Sequence, residues 1–306
     1  MIPRSYLHLP TPLEGISFDP EEAMIWCKLE YMHPTRSIKD RIAAHILEKA
    51  WRQGKIGQGS WVIEASSGST SIAMAHACAR MGLRFIACMP EGVSNERILI
   101  IRAFGGEVLF SPRHEGMKGA CHFAEAEAKK RDAFLTRQFE NPANPETHYL
   151  GTAQEILEQI PDKTIDAVVS GIGTGGTLVG LAKAFKEAGC RSVPYIAIPT
   201  ASSKIGDLES CSFSGRIPGV LDFFTHIYKK GDMPDAVELQ INDELALQTS
   251  RELIARGYPV GPSSGLNFAA ARIAAKELGR DAHIVTVFPD GMEKYFSTDL
   301  FAPFRE

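Results

Sequence analysis

Short apolar runs alternate with amphipathic stretches along the chain, and several of the runs end in loops of small residues. Ala23 to Leu29 reads as a buried strand, and after it Ile42, Ile46, Leu47 and Ala50 fall on one face of a helix that Gly54 stops. The pattern repeats. Trp61 to Ile63 is a strand, Ser66 to Ser71 a loop, and Ile72 to Met81 a helix ended by Gly82. Phe85 to Met89 opens a third unit, with a helix expected from Asn95 to Phe104, a stop at Gly105-Gly106 and a return strand Val108 to Phe110. Further on come strand Ala167 to Ser170, loop Gly171 to Thr177 and helix Leu178 to Ala188 before Gly189. Tyr195 to Ile198 and His283 to Phe288 are two more buried strands, and Gly265 to Leu278 is an alanine-rich helix. Alternating strand and helix predicts an α/β fold with mostly parallel twisted sheets covered by helices. No repeat, low-complexity tract or flexible linker is visible, so any two lobes must be interwoven.

In such sheets ligands sit outside the carboxyl ends of the strands, against helix N-termini. Four loops of small residues occupy that position: the one ending at Lys39, then Ser66 to Ser71, Gly171 to Thr177, and Gly261 to Gly265. Gly171-Ile172-Gly173-Thr174-Gly175-Gly176-Thr177 lets backbone amides approach an anion and adds two hydroxyls, which suits a phosphate. Gly171, Gly173 and Gly176 also satisfy G-x-G-x-x-G, yet the acid expected after the next strand is missing, since Pro199-Thr200-Ala201 follows Ile198. A single phosphate therefore fits better than a nicotinamide dinucleotide, and a tight turn that needs glycine is the plain alternative. Ser66-Ser67-Gly68-Ser69-Thr70-Ser71 carries the hydroxyls and amides to grip a carboxylate, although N-capping by one serine would explain part of it.

Ser37 and Asp40 have capping-box spacing, so a helix should begin at Ile38 with Lys39 in its first turn. Helix N-terminal amides carry partial positive charge, which costs a cation there roughly 0.3–1 kcal/mol. Two readings stay open on spacing alone: Asp40 pairs with Lys39 on a wet surface, or Lys39 is kept there for its chemistry.

With 306 residues, 44% hydrophobic and 23% charged, the chain can bury a core and form two lobes. A net charge of −4 gives no basic footprint, which disfavours nucleic acid and anionic membrane as main partners. The six cysteines, Cys27, Cys78, Cys88, Cys121, Cys190 and Cys211, and the nine histidines show no metal-ligand spacing, and the cysteines read as reduced core thiols. Prolines interrupt Met1 to Gly15, where a signal peptide needs an apolar run, and no stretch has the length of a membrane span, so the cytosol is expected.

In that order, Ser37-Ile38-Lys39-Asp40-Arg41, Glu64-Ala65-Ser66-Ser67-Gly68-Ser69-Thr70 and Gly173-Thr174-Gly175-Gly176-Thr177 resemble the cysteine synthase and cystathionine β-synthase family. These are fold-type II enzymes dependent on pyridoxal 5'-phosphate, with a tryptophan synthase β-like architecture. Met89-Pro90-Glu91, Glu96-Arg97, Gly116 to Ala120, Gln138-Phe139, Asn141 to Glu146 and Tyr295 with Ser297-Thr298 extend the likeness over nearly the whole chain.

The resemblance implies that Lys39 forms the Schiff base with the cofactor and later moves the Cα proton. It implies that Gly173, Thr174, Gly175, Gly176 and Thr177 cradle the phosphate and that Ser263 hydrogen-bonds the pyridine nitrogen. Ser66, Ser67, Gly68 and Thr70 would clamp the amino-acid carboxylate, with Gln138 close by. Ser69 stands where the synthases usually have asparagine, which contacts the cofactor ring hydroxyl. The resemblance also implies a smaller mobile lobe over 36–140, a larger cofactor lobe over 1–35 and 141–306, and a homodimer. The activity implied is β-replacement on a serine-derived amino acid through an aminoacrylate, as in making cysteine from O-acetylserine and sulfide. Ser69, Arg36 and Ile217-Pro218-Gly219-Val220 depart toward a branch that includes cysteine desulfhydrases, which release sulfide, pyruvate and ammonia from cysteine. An oxidoreductase using NAD and a non-catalytic binding protein are the remaining alternatives.

Overall fold

The computed structural model describes residues 10–19, 21–201, 216–220 and 225–305. The chain opens with β1 (Leu13–Ile16), β2 (Ile25–Lys28), α1 (Lys39–Arg52), β3 (Trp61–Ala65) and α2 (Ser69–Met81). Next come β4 (Arg84–Pro90), α3 (Asn95–Ala103), β5 (Glu107–Ser111), α4 (Gly116–Arg131) and β6 (Phe134–Leu135). The second half runs through α5 (Ala143–Thr147), α6 (Ala153–Gln159), β7 (Ala167–Gly171), α7 (Gly176–Glu187) and β8 (Val193–Thr200). It ends with β9 (Val237–Asn242), α8 (Asp243–Ala255), α9 (Pro262–Leu278) and β10 (Ile284–Val287).

These strands form a six-stranded sheet in the order β1-β2-β10-β7-β8-β9 and a four-stranded sheet in the order β5-β4-β3-β6. All pairings are parallel except β1 with β2 at one edge. The fold is α/β, as the alternation predicted. β3, β4, β7 and β10 are buried on both faces, which is why they read as near-continuous apolar runs rather than alternating ones. Alanines 269, 270, 271, 274 and 275 of α9 pack into the core beside β7 and β10. At Gly265 an added Cβ would lie 2.1 Å from the Ala246 carbonyl, so glycine permits the close crossing of α8 and α9.

Three helices begin earlier than their apolar pattern suggests: α2 at Ser69 rather than Ile72, α7 at Gly176 rather than Leu178, and α9 at Pro262 rather than Gly265. Apolar periodicity detects only turns that face a core, whereas these first turns present small polar residues to a cleft. Seven elements were not expected: β6, α5 and α6 are only two, five and seven residues long, and four others carried no clear pattern. α4 is rich in Ala, Glu and Lys with a weak apolar face, α8 is only partly amphipathic, and the edge strands β1 and β9 are largely exposed. Cys27, Cys78, Cys88, Cys121 and Cys190 form no disulfide among the described residues, three of them are buried, and Cys211 lies outside the described residues.

The capping-box expectation at Ser37 is corrected. Helix α1 starts at Lys39, and Ser37 Oγ accepts a hydrogen bond from Lys39 N at 3.2 Å. Asp40 neither pairs with Lys39 at a surface nor reaches back to the Ser37 amide. It is buried, and its carboxylate accepts from Thr35 N and Thr35 Oγ1, both at 2.8 Å. A carboxylate in the first turn of a buried helix takes the donors the preceding loop offers, and here those come from Thr35.

Arg41, two residues past Lys39, roots this helix start in the core. Its guanidinium donates to Glu30 at 2.6 and 2.8 Å and to Glu155 at 2.6 and 2.7 Å, while Lys28 lies 2.8 Å from Glu155. Arg41 and its neighbour His33 hold the Glu30 carboxyl well below the usual range despite its burial.

Candidate active site

A cleft of about 940 Å³, its open mouth included, gathers the loops that the sequence singled out. Ser37, Ile38 and Lys39 form one wall, 66–70 a second, Gly173, Thr174, Gly175 and Thr177 a third, and Ser263 contributes from the first turn of α9. Gln138 and Phe139 close one side, after the carboxyl end of β6. The loops stand where parallel sheets collect ligands, at carboxyl ends of strands and N-termini of helices.

Lys39 makes no hydrogen bond or ion pair with its amine among the described residues, and burial pushes that amine down to about 8 against the pull of Asp290. A lysine in this state is about one tenth neutral at pH 7, far more than an ordinary lysine, which makes it a better nucleophile and base.

The 66–70 loop is shaped mainly by its own first serine. Ser66 Oγ lies 2.6 Å from Ser71 Oγ and accepts from the amides of Gly68 and Ser71 at 3.2 and 3.1 Å. Ser66 is therefore spent on the turn, which leaves the Ser67 hydroxyl and the amides of the α2 start facing the cleft. Gly68 has φ +156°, and a Cβ there would meet the Arg97 side chain at 2.3 Å. Arg97 donates to the Ser67 carbonyl at 3.1 Å and stacks over the Tyr295 ring at 5.3 Å. Ser69 turns its hydroxyl to Asp290 Oδ2 at 3.2 Å. Thr70 and Gln138 are bonded to each other at 2.7 Å, and Gln138 Nε2 donates to the Ala65 carbonyl at 2.6 Å.

The 173–177 turn needs its glycines for space. A Cβ on Gly173 would lie 2.2 Å from the Gly219 carbonyl, and one on Gly176 would lie 1.9 Å from Asn144 Oδ1. Gly175 has φ +85°, in the left-handed region that disfavours other residues. Gly176 is not part of the cleft wall; it sits behind the turn with its amide 3.4 Å from Thr174 Oγ1. Asn144 joins the two halves of the site by donating to Gln138 O at 2.8 Å and to Thr174 Oγ1 at 2.9 Å. Asn267 braces the same turn, accepting from Gly171 N at 2.8 Å and donating to Val287 O at 3.0 Å. Behind α7, His148 is buried and held neutral, its ring Nε2 3.4 Å from Thr177 Oγ1 and burial pushing it down to about 3.

Asp290 drew no attention in the sequence, and Asn144 and Asn267 fell within matching motifs without being given a role in the site. Asp290 could have been found, because Pro289 to Gly291 follow the carboxyl end of β10 and the strand-end rule that marked four loops marks a fifth. Asn144 and Asn267 act through contacts far apart in sequence, which no spacing encodes.

A family profile described as "Pyridoxal-phosphate dependent enzyme" matches residues 4–290. A cysteine synthase of Staphylococcus aureus is 40% identical over 292 residues, covering 93% of this chain and 91% of the relative. The crystal structure of O-ureido-L-serine synthase superposes with a TM-score of 0.87 at 32% identity, covering 97% of this chain and 94% of the other. A hydrogen sulfide-producing enzyme, solved as a mutant with an alpha-aminoacrylate intermediate, gives a TM-score of 0.86 at 35% identity over 96% of this chain and 89% of its own. The chain belongs to the pyridoxal-phosphate dependent enzyme family, and its cofactor is pyridoxal phosphate. The nicotinamide reading falls with this, and β8 ends at Thr200 without the acid that reading required.

The residues present suit that cofactor. The amides of Gly173, Thr174, Gly175 and Thr177 have no hydrogen-bond partner among the described residues, at the start of a 12-residue helix whose dipole favours a phosphate. Ser263 keeps a hydroxyl on the cleft with no partner among the described residues, available to a ring nitrogen, and the Lys39 amine shares the same space. Among the described residues no cluster of His, Cys, Asp or Glu could hold a metal ion, and no helix is long and apolar enough to cross a membrane.

Proposed function

We propose that this chain catalyses β-replacement on O-acetylserine, with sulfide as the incoming nucleophile and cysteine as the product. The observation that carries this reading is the convergence of Lys39, the 66–70 loop and the 173–177 turn on one cleft. When bound, pyridoxal phosphate supplies an electron sink that lets a Cα–H bond and then a leaving-group bond at Cβ break.

The chain's own residues do the holding and the proton work. The free amides of 173–175 and 177 take the phosphate, and Gly176 lets Asn144 brace the turn from behind. Ser263 offers a neutral hydroxyl to the ring nitrogen; unlike an aspartate it need not keep that nitrogen charged, which tempers the sink and suits elimination over transamination. Ser67, the amides at the α2 start and the Thr70–Gln138 pair orient the substrate carboxylate. Lys39 takes the proton from Cα, a role that an amine near pKa 8 can fill. The lobe over 36–140 closes to keep water from the reacting carbon. The working form is a cytoplasmic homodimer, which size-exclusion chromatography with light scattering tests.

A second reading, cysteine desulfhydrase, is favoured by the likeness to a hydrogen sulfide-producing enzyme and by Ser69 in the place of asparagine. Both activities use the same residues and differ in how well water is excluded. One preparation decides between them: cysteine formed from O-acetylserine plus sulfide is compared with sulfide released from cysteine alone. Faster cysteine formation is expected, and a strong excess of sulfide release would replace the first reading with the second.

A further inference from the structure

Asp290 is 4% exposed and lines the cleft. Its Oδ2 accepts from Tyr295 Oη at 2.6 Å and from Ser69 Oγ at 3.2 Å, with Lys294 Nζ at 3.9 Å. Its Oδ1 is buried and has no hydrogen-bond partner among the described residues. A buried carboxylate oxygen without a donor is costly unless positive charge nearby offsets it.

The backbone puts that oxygen's residue beside the start of α1. Ser37 and Asp290 form an antiparallel bridge, Ile38 N donates to Pro289 O at 2.8 Å, and Gly291 N donates to Arg36 O at 2.9 Å. Lys39 follows two residues after the bridge and shares the cleft with Asp290. No ion pair joins them, so the two charges act on each other across the cleft.

We propose that Asp290 is a positioning residue for Lys39, a counter-charge that governs how readily the lysine amine gives up its proton and that also fixes the Ser69 hydroxyl of the substrate loop. The other charges facing that amine are Lys294, which opposes Asp290, and Glu30 after β2, which reinforces it, while His148 behind α7 faces it as a neutral ring. Facing Asp290 itself are Lys39, Lys294, Tyr295 and, stacked on the tyrosine ring, Arg97. Neutralising Asp290 therefore eases deprotonation of Lys39, and neutralising Lys294 hinders it. The catalytic meaning of this rests on the proposed role of Lys39, whereas the test reads the amine directly.

The full-length chain, freed of cofactor, is treated with trinitrobenzenesulfonate across a pH series, and modification of the Lys39 peptide is followed by mass spectrometry. In Asp290→Asn, which keeps acceptors for Tyr295 and Ser69, the midpoint is expected to fall by ~1 pH unit. In Lys294→Met it is expected to rise by ~0.5 unit, and Ser69→Ala, which removes a hydrogen bond but no charge, leaves it in place. Midpoints matching the unsubstituted chain in both charge variants, with native circular dichroism, would overturn the proposal; if Asp290→Asn does not fold, Lys294→Met alone decides. Cofactor uptake is read separately from the yellow colour of the loaded chain, so failure there leaves this result standing.

Discussion

Thr70 Oγ1 donates to Gln138 Oε1 at 2.7 Å, and the same glutamine's Nε2 reaches the Ala65 carbonyl at 2.6 Å. Both ends of the Gln138 amide are therefore taken by the chain, so under the proposed function it orients the substrate through the loop it holds. Gln138→Ala is expected to raise KM for the amino acid about tenfold, the value of one or two lost hydrogen bonds, with a smaller change in kcat. Steady-state kinetics at saturating cofactor check this.

Gly176 and Asn144 make a second coupled pair. A methyl at Gly176 would sit 1.9 Å from Asn144 Oδ1, and Asn144 also holds Thr174 and the Gln138 carbonyl. Gly176→Ala is expected to displace Asn144 and open the turn, weakening cofactor binding at least about tenfold because the proposed phosphate contacts share that turn. Fluorescence titration of the cofactor-free variant with pyridoxal phosphate measures it.

How much of this was legible follows from which contacts are local. The parallel sheets and the four loops could be read because strand runs, glycine stops and small-residue turns are written in neighbouring residues, whereas spacing left Lys39 open between a surface pair and a chemical role, and only the family resemblance chose. The first turns of α2, α7 and α9 were assigned to loops because polar residues that face a cleft mimic loop composition. Asp40 was read as a capping or surface-pairing residue, and its burial against Thr35 was hidden because burial depends on segments far along the chain. The Ser69–Asp290 contact spans residues 221 apart, beyond any spacing rule.

The Arg41 network ties the helix of Lys39 to the larger sheet. Removing Arg41 strands Glu30, which is fully buried, beside Glu155. Arg41→Met is expected to lose on the order of 3 kcal/mol of stability, since the buried Glu30 carboxylate loses its guanidinium and keeps only His33 and Thr11 as partners among the described residues. Urea unfolding followed by circular dichroism checks the loss.

Glu64 gives the protein a pH dependence of its own. Its carboxyl is buried under the substrate loop, where burial pushes it up to about 7 against hydrogen bonds from Thr136, Ala65 and Gln138. A carboxyl whose folded pKa is raised contributes stability that is fully present below its unfolded pKa of about 4.3 and is lost as pH rises through the folded one. Tm is therefore expected to decline between about pH 4 and about pH 7. Glu64→Gln, which cannot ionise, should flatten that slope. Glu30, held low by Arg41, works in the opposite sense and only in acid, so the two windows separate in a pH series of scanning calorimetry.

The most direct measurement concerns Lys39. The purified chain, supplied with pyridoxal phosphate, is reduced with borohydride, digested and examined by mass spectrometry. The expected result is a yellow protein that bleaches on reduction and carries one pyridoxyl-phosphate mass on the Lys39 peptide, with Lys39→Ala folded but colourless. A colourless unsubstituted chain, or a label on another lysine with Lys39 untouched, would contradict the account.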